Sequence, residues 1–283
     1  MEKLIVVTTV LLMAPGVYAQ EQQTNDFLRD RGDGIPTSLF GTYIEKGDFI
    51  FYPFYEYYVE RQSEYNPLDL GFNTNQAFRG KFSAREELVY VAYGLNDWLM
   101  FELEASVIQA RQTKDSGDNS NMPAVYKESG IENIEGQVRW RYWKETARKP
   151  ELYSYFLTVL PTQGSNSLIG TPGYEFKLGT GLYKGFHFGT LSINTAIQYD
   201  TDAKEYAFGG FTIEYLKRIN KTFRVYTAFE GIPEETEWIT ELQIFPAPWL
   251  FFRLNNAIGI SPDATDIAPE VGLLMYLNKI RRR

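Results

Sequence analysis

Ile134-Glu135-Gly136-Gln137-Val138-Arg139-Trp140-Arg141-Tyr142-Trp143, then a Lys149-Pro150 turn, then Leu152-Tyr153-Ser154-Tyr155-Phe156-Leu157-Thr158-Val159-Leu160: this stretch decides the fold class. In an extended chain successive side chains point to opposite faces. Val138, Trp140 and Tyr142 therefore share one face, and Gln137, Arg139 and Arg141 share the other. A soluble sandwich buries one such face and leaves the other in bulk water. A membrane-spanning barrel needs an apolar, aromatic-rimmed outside and a polar, charged inside on strand after strand.

Outward from this stretch the same alternation recurs. Phe49, Phe51, Tyr55, Tyr57 and Val59 oppose Tyr52, Glu56, Tyr58 and Glu60, with Pro53 fitting a bulge or a weakly paired position. A second strand runs from Ala77 to Tyr93, where adjacent Glu86 and Glu87 cannot both face inward without a bulge. Leu99, Phe101, Leu103, Ala105 and Val107 then alternate with Met100, Glu102, Glu104 and Ser106. Downstream, Leu191, Ile193 and Ile197 oppose Ser192, Asn194 and Gln198, and Phe252 and Leu254 oppose Arg253 and Asn255. The pattern yields about twelve strands of about ten residues, the length of spanning β-segments. Connections after the first, third and fifth strands are long and polar, whereas those after the even-numbered strands are short. Outer-membrane barrels sort their loops in this way, long outside and short on the periplasmic side. A sandwich has no reason to do so. The expected fold is all-β: one antiparallel transmembrane β-barrel of about 12 strands in a bacterial outer membrane.

Composition agrees. Aromatic residues make up 16% of the 283, with 20 Tyr and 20 Phe, which favours strands and interfacial girdles. A net charge of −8 argues against a nucleic-acid partner. The absence of Cys excludes disulfides, thiol catalysis and thiolate metal sites. Met1–Ala19 reads as a cleaved signal peptide: Lys3, an apolar core from Leu4 to Met13 and a Val17-Tyr18-Ala19 exit. Residues 20–46 lack a period and suit a periplasmic or plug segment, with Arg31-Gly32-Asp33 as an ordinary turn. Residues 47–283 then form the barrel.

Three phrases carry a family resemblance: Pro36-Thr37-Ser38-Leu39-Phe40-Gly41-Thr42-Tyr43, Arg139-Trp140-Arg141 with Arg148-Lys149-Pro150-Glu151, and Glu214-Tyr215-Leu216-Lys217-Arg218. The mature chain resembles proteobacterial outer-membrane barrels of the MetA-pathway of phenol degradation putative transporter family. That resemblance implies passage of small hydrophobic or aromatic compounds. Many barrels close on a terminal aromatic residue, whereas here Tyr276 is followed by Leu-Asn-Lys-Ile-Arg-Arg-Arg.

The inward set nominates Glu102, Glu104, Arg139, Arg141, Glu175, Lys177, Glu214, Arg224, Glu237, Glu241 and Arg253 as lumen-lining selectivity residues. Arg139 and Arg141 are expected to meet Glu102 and Glu104 across the ladder. The same set also reads as a salt-bridged filling, because isolated buried charges must pair. Glu102 and Glu104 could form an acid/base pair, but alternating carboxylates are equally a lumen wall. His187, the sole histidine, stands between Phe186 and Phe188 beside a short turn and suits the periplasmic girdle rather than a hydrolase base. No catalytic residue, metal site or cofactor is expected. The expected partners are outer-membrane lipid and a small-molecule permeant, with oligomeric state left open. The leading reading is a narrow channel or transporter. An outer-membrane lipid hydrolase and a closed structural or surface-interaction barrel are its alternatives.

Overall fold

The computed structural model describes residues 26–232 and 235–278. Met1–Ala19, read as a signal peptide, and the arginines at 281–283 lie outside the described residues. Two short strands come first, β1 (Ile35–Pro36) and β2 (Tyr43–Ile44). Twelve longer ones follow: β3 (Phe49–Tyr65), β4 (Phe78–Gly94), β5 (Leu99–Thr113), β6 (Val125–Trp143), β7 (Glu151–Val159) and β8 (Glu175–Phe186). The remainder are β9 (Gly189–Asp200), β10 (Glu205–Arg218), β11 (Phe223–Gly231), β12 (Thr236–Ala247), β13 (Leu250–Gly259) and β14 (Ala268–Tyr276). Strands β3–β14 form a closed barrel in which each pairs antiparallel with its neighbours in sequence. β14 closes on β3 through Glu270↔Glu56 and Tyr276↔Ile50. Closure leaves no sheet edge in the spanning region, so each strand finds its partners there within the wall.

The pleat sorts the side chains as the alternation requires. On β5, Met100, Glu102 and Ser106 are buried inward, while Phe101, Leu103 and Val107 are exposed on the outside. Glu86 and Glu87 do not need a bulge: β4 holds a continuous register against both neighbours here, so Glu86 points in and Glu87 points out. Pro53 pairs in register with Val89 on the β4 side. On the β14 side the ladder skips from Phe54 to Phe51, as expected of a residue with no N–H to donate.

The strands are unequal. β3–β6 have 15 to 19 residues, whereas β7–β14 have 9 to 14. The upper part of β6 stands clear of β7, whose pairing begins at Glu135↔Val159. β3–β6 therefore project beyond the membrane as a tall wall. The connection 160–174 folds against it. Glu132 receives the N–H of Gly170, Glu128 receives those of Ser167 and Leu168, and Ile169 is buried among Ala84, Ile108 and Ala110. Tyr65, Leu70 and Met122 form a second cluster from the neighbouring loops.

Residues 34–44 lie inside the periplasmic half of the barrel, with 27–33 and 45–48 at its rim. β1 pairs with β2, and the turn between them is closed by Thr37 and Thr42. Gly41 sits in that turn at φ +65°, a conformation that favours glycine. A Cβ there would also come within 2.9 Å of Leu216 on the wall. Ile35, Leu39 and Ile44 join Ile50, Tyr52, Tyr90, Met100 and Leu274 in one buried cluster. The sequence suggested an aperiodic loop or short plug here, without strands; the segment contains a small hairpin because the wall supplies the apolar partners that two-residue strands cannot supply themselves.

Candidate functional site in the barrel lumen

The lumen is built from the inward residue of each pleat, and its chemistry changes with height. Near the short turns stand the arginines, each met by the inserted segment or a carboxylate. Arg139 Nη1 donates to the Thr37 carbonyl at 3.0 Å, and its Nε lies 3.5 Å from Glu102. Arg141 donates to the Gly34 carbonyl and to Glu151, at 3.2 and 3.4 Å. Arg253 pairs with Glu241, which also accepts from Gln243 at 2.6 Å; Gln243 in turn donates to the Phe40 carbonyl. Arg224 lies 4.5 Å from the Phe245 ring centroid and donates to the Arg31 carbonyl. Glu214 accepts from Ser192. Glu102 accepts from Gln137 at 2.6 Å, from the Ser38 amide at 3.1 Å and from the Ser38 hydroxyl.

Arg31, assigned to an ordinary turn in the sequence, is instead the anchor of this half. Its Nη2 bridges Glu145 and Glu151, both at 3.0 Å, with all three side chains buried. Burial alone would lower the Arg31 pKa, but Glu151, Tyr43 and Glu145 outweigh it and the pKa is raised. Lys184 completes the cluster, 2.9 Å from Glu145. Arg31, Glu145 and Glu151 were missed because the contacts span 114 and 120 residues and leave no local pattern. Gly185 belongs to the same junction: a Cβ there would lie 1.7 Å from the Phe27 carbonyl.

One pleat above Glu102 the balance reverses. Glu104 stands directly opposite Glu135, Glu56 opposite both Glu86 and Glu270, and Glu230 opposite Glu237. Like charges directly opposite on a ladder repel. Glu56, Glu104, Glu135 and Glu230 have no hydrogen bond or ion pair among the described residues. Glu175 accepts from Gln198 at 2.8 Å, and Glu270 from Tyr52 and Asn255. Lys177, opposite Gln198, faces this acidic belt. At the outer rim a pocket of about 270 Å³ is lined by Glu60, Glu230, Glu235, Glu237 and Asp263.

All eleven nominated residues occupy inward positions on their strands. The structure brings Arg139 to Glu102 and Arg253 to Glu241 but does not assemble the expected four-residue cluster. Arg141 sits below the level of Glu102 and pairs with Glu151, while Glu104 meets another carboxylate, Glu135. Counting residues from the short turn on each strand would have separated these levels. His187 is exposed at the β8–β9 turn, edge-on to Phe188, and its carbonyl accepts from Arg29 and Lys217.

A closed twelve-stranded antiparallel barrel with an apolar exterior, a charged interior and loops sorted by side defines an outer-membrane β-barrel. No protein-family model matches the chain, and no curated protein is similar to it in sequence. Its fold is similar to that of the COG4313 outer membrane channel from Pseudomonas putida, with a TM-score of 0.63 at 10% identity over 85% of this chain and 98% of that one. It is also similar to the translocator domain of the autotransporter NalP from Neisseria meningitidis, with a TM-score of 0.51 at 8% identity over 82% of this chain and 89% of that one.

Proposed function

We propose that the protein is a narrow outer-membrane channel for small molecules, entered through the acidic outer lumen and stopped at the periplasmic end by its own residues 27–48. One observation carries this reading: in the lower lumen Arg139, Arg141 and Gln243 of the wall donate hydrogen bonds to the carbonyls of a separate segment, at Thr37, Gly34 and Phe40. Eight strands leave room only for side chains and sixteen leave an open pore, so twelve leave a passage that one hairpin can close. The wall above the hairpin offers carboxylates beside the rings of Tyr58, Phe82 and Tyr155. Such a lining favours small aromatic solutes, and cationic ones over anionic ones. The resemblance to the phenol-degradation transporter family and the channel of similar fold support passage of small molecules. The exposed turn position of His187 favours this reading over a hydrolase.

The test uses proteoliposomes carrying either the parent or a variant lacking residues 20–46, challenged with phenyltrimethylammonium or benzenesulfonate, two aromatic ions that bilayers exclude. Swelling of the variant liposomes should be faster in the cation than in the anion, and slower for the parent in both. Absence of swelling in every arm would favour the closed structural barrel.

A further inference from the structure

We propose that the outward face of β4–β6 docks the phosphates of an outer-leaflet glycolipid, the phosphorylated diglucosamine headgroup of lipopolysaccharide. Lys81, Arg85, Arg111 and Lys127 all point outward and are exposed on this face. Arg111 stands directly opposite Lys127 on the β5–β6 ladder. It also stands opposite Ser83, which places Lys81 and Arg85 on its two diagonals across the β4–β5 ladder. Like charges so placed are destabilising. None of the four makes a side-chain hydrogen bond or ion pair among the described residues, in a chain of net charge −8. Arg79, just above, differs in pairing with Glu64 and Asp263. The uncompensated cations therefore call for an anion from outside the chain.

Height identifies that anion. Lys81 is twelve residues up β4 from Tyr93, which at 3.3 Å per residue and a tilt of about 40° is roughly 30 Å along the barrel axis. The apolar band of such a barrel is about 25 Å tall, so the cluster stands at the outer headgroup layer. On β8–β10 the outer rim carries aromatic residues instead: Phe176 stacks on Tyr174, and Tyr199 meets Tyr206 at a tilt. On β4–β6 cations stand at the level where β8–β10 carry aromatic rings. Beneath them runs a groove in two joined parts that share Tyr55, Glu87, Val107 and Ile131. The upper part, about 480 Å³, reaches Arg85 and Ser129; the lower, about 790 Å³, is walled by apolar residues such as Val89 and Phe252. A polar upper end above an apolar trough matches a phosphorylated headgroup above acyl chains. Glu87 lies two residues below Arg85, about 7 Å along the strand, and offsets that cation, but it is six residues below Lys81, about 20 Å, and does not reach the upper three.

The test compares the full-length parent with the triple variant Lys81→Gln/Arg111→Gln/Lys127→Gln and with Arg148→Gln/Lys149→Gln, which removes two cations at a periplasmic turn. Binding of bisphosphorylated lipid A and of its phosphate-free form is measured in zwitterionic detergent, with heat-modifiable gel mobility as the check of folding. The parent should prefer the phosphorylated form, the triple variant should lose on the order of 100-fold in affinity for it, and the periplasmic control should bind like the parent. Equal binding of the two lipids, unchanged binding by the folded triple variant, or phosphatidylglycerol binding as tightly as lipid A would overturn the proposal.

Discussion

The two halves of the lumen solve the problem of interior charge in opposite ways. In the periplasmic half Arg31, Arg139, Arg141 and Arg253 each meet a carboxylate, and the inserted hairpin supplies carbonyls for what remains. In the outer half carboxylates face carboxylates across four ladders. Pairing of buried charges is what closes and fixes a structure, since removing one partner strands the other. Like charges that face each other without partners add no such stability. Under the proposed channel reading, stability resides in the lower half and passage in the upper one.

The largest effect should come from breaking the pairing below. Arg31→Met removes the buried cation that Glu145 and Glu151 share, leaving only Lys184 beside the first and Arg141 beside the second, at a cost to the seating of the hairpin of about 3 kcal/mol. Hydrogen exchange should accelerate at the amides of residues 35–44 while the barrel ladder stays protected. Glu104→Gln, one pleat into the upper half, should leave stability unchanged or raised, because it relieves Glu135. Equal destabilisation by the two variants would erase the contrast.

Added charge sharpens the comparison at a smaller scale. Leu103→Arg faces lipid and should cost roughly 2–4 kcal/mol in a folding titration, the range for a cation at mid-bilayer. Ser106→Arg points inward beside Glu86 and should cost far less. The sequence groups Ser192 with Ser106 as a tolerant lumen position. Both are buried beside a carboxylate, Ser106 next to Glu86 and Ser192 next to Glu214, but Ser192 stands in the packed lower half, and Ser192→Arg should fall between the other two.

The smallest effect belongs to the outer loops. Burial pushes the Asp118 carboxyl up, but hydrogen bonds from the amide and hydroxyl of Ser120 and from the Tyr65 hydroxyl outweigh it and hold the pKa below the usual carboxylate value. A depressed acid contributes stability above its unfolded pKa and loses it as pH falls through the folded one. Proteolysis of residues 114–124 should therefore accelerate on acidification below the usual carboxylate range. Asp118→Asn should show the faster rate already at neutral pH and respond less to acid.

Much of this architecture was legible in the chain. A period of two is a local property, so Leu103 and Ile193 could be placed outside and Ser106 and Ser192 inside from their neighbours alone. Loop length by parity gave the sidedness. The Glu86-Glu87 pair misled toward a bulge only through the premise that both acids line the lumen; one of them faces outward. What stayed hidden was long-range. Nothing near Arg31 announces Glu145 and Glu151, and although residues 20–46 suit a plug, nothing in Pro36–Tyr43 says which wall residues will hold it. The separation of arginines below from glutamates above was present in the distance of each residue from its short turn, but the inward list alone does not carry height.

The most direct measurement of the account is the current through single barrels in a planar bilayer, for the parent and for the variant lacking residues 20–46, across a salt gradient. The variant should conduct steadily, with a reversal potential that marks preference for cations, and the parent should conduct far less. Equal currents from the two chains, or an anion preference in the opened one, would contradict both the closing role of the inserted segment and the role of the carboxylates above it.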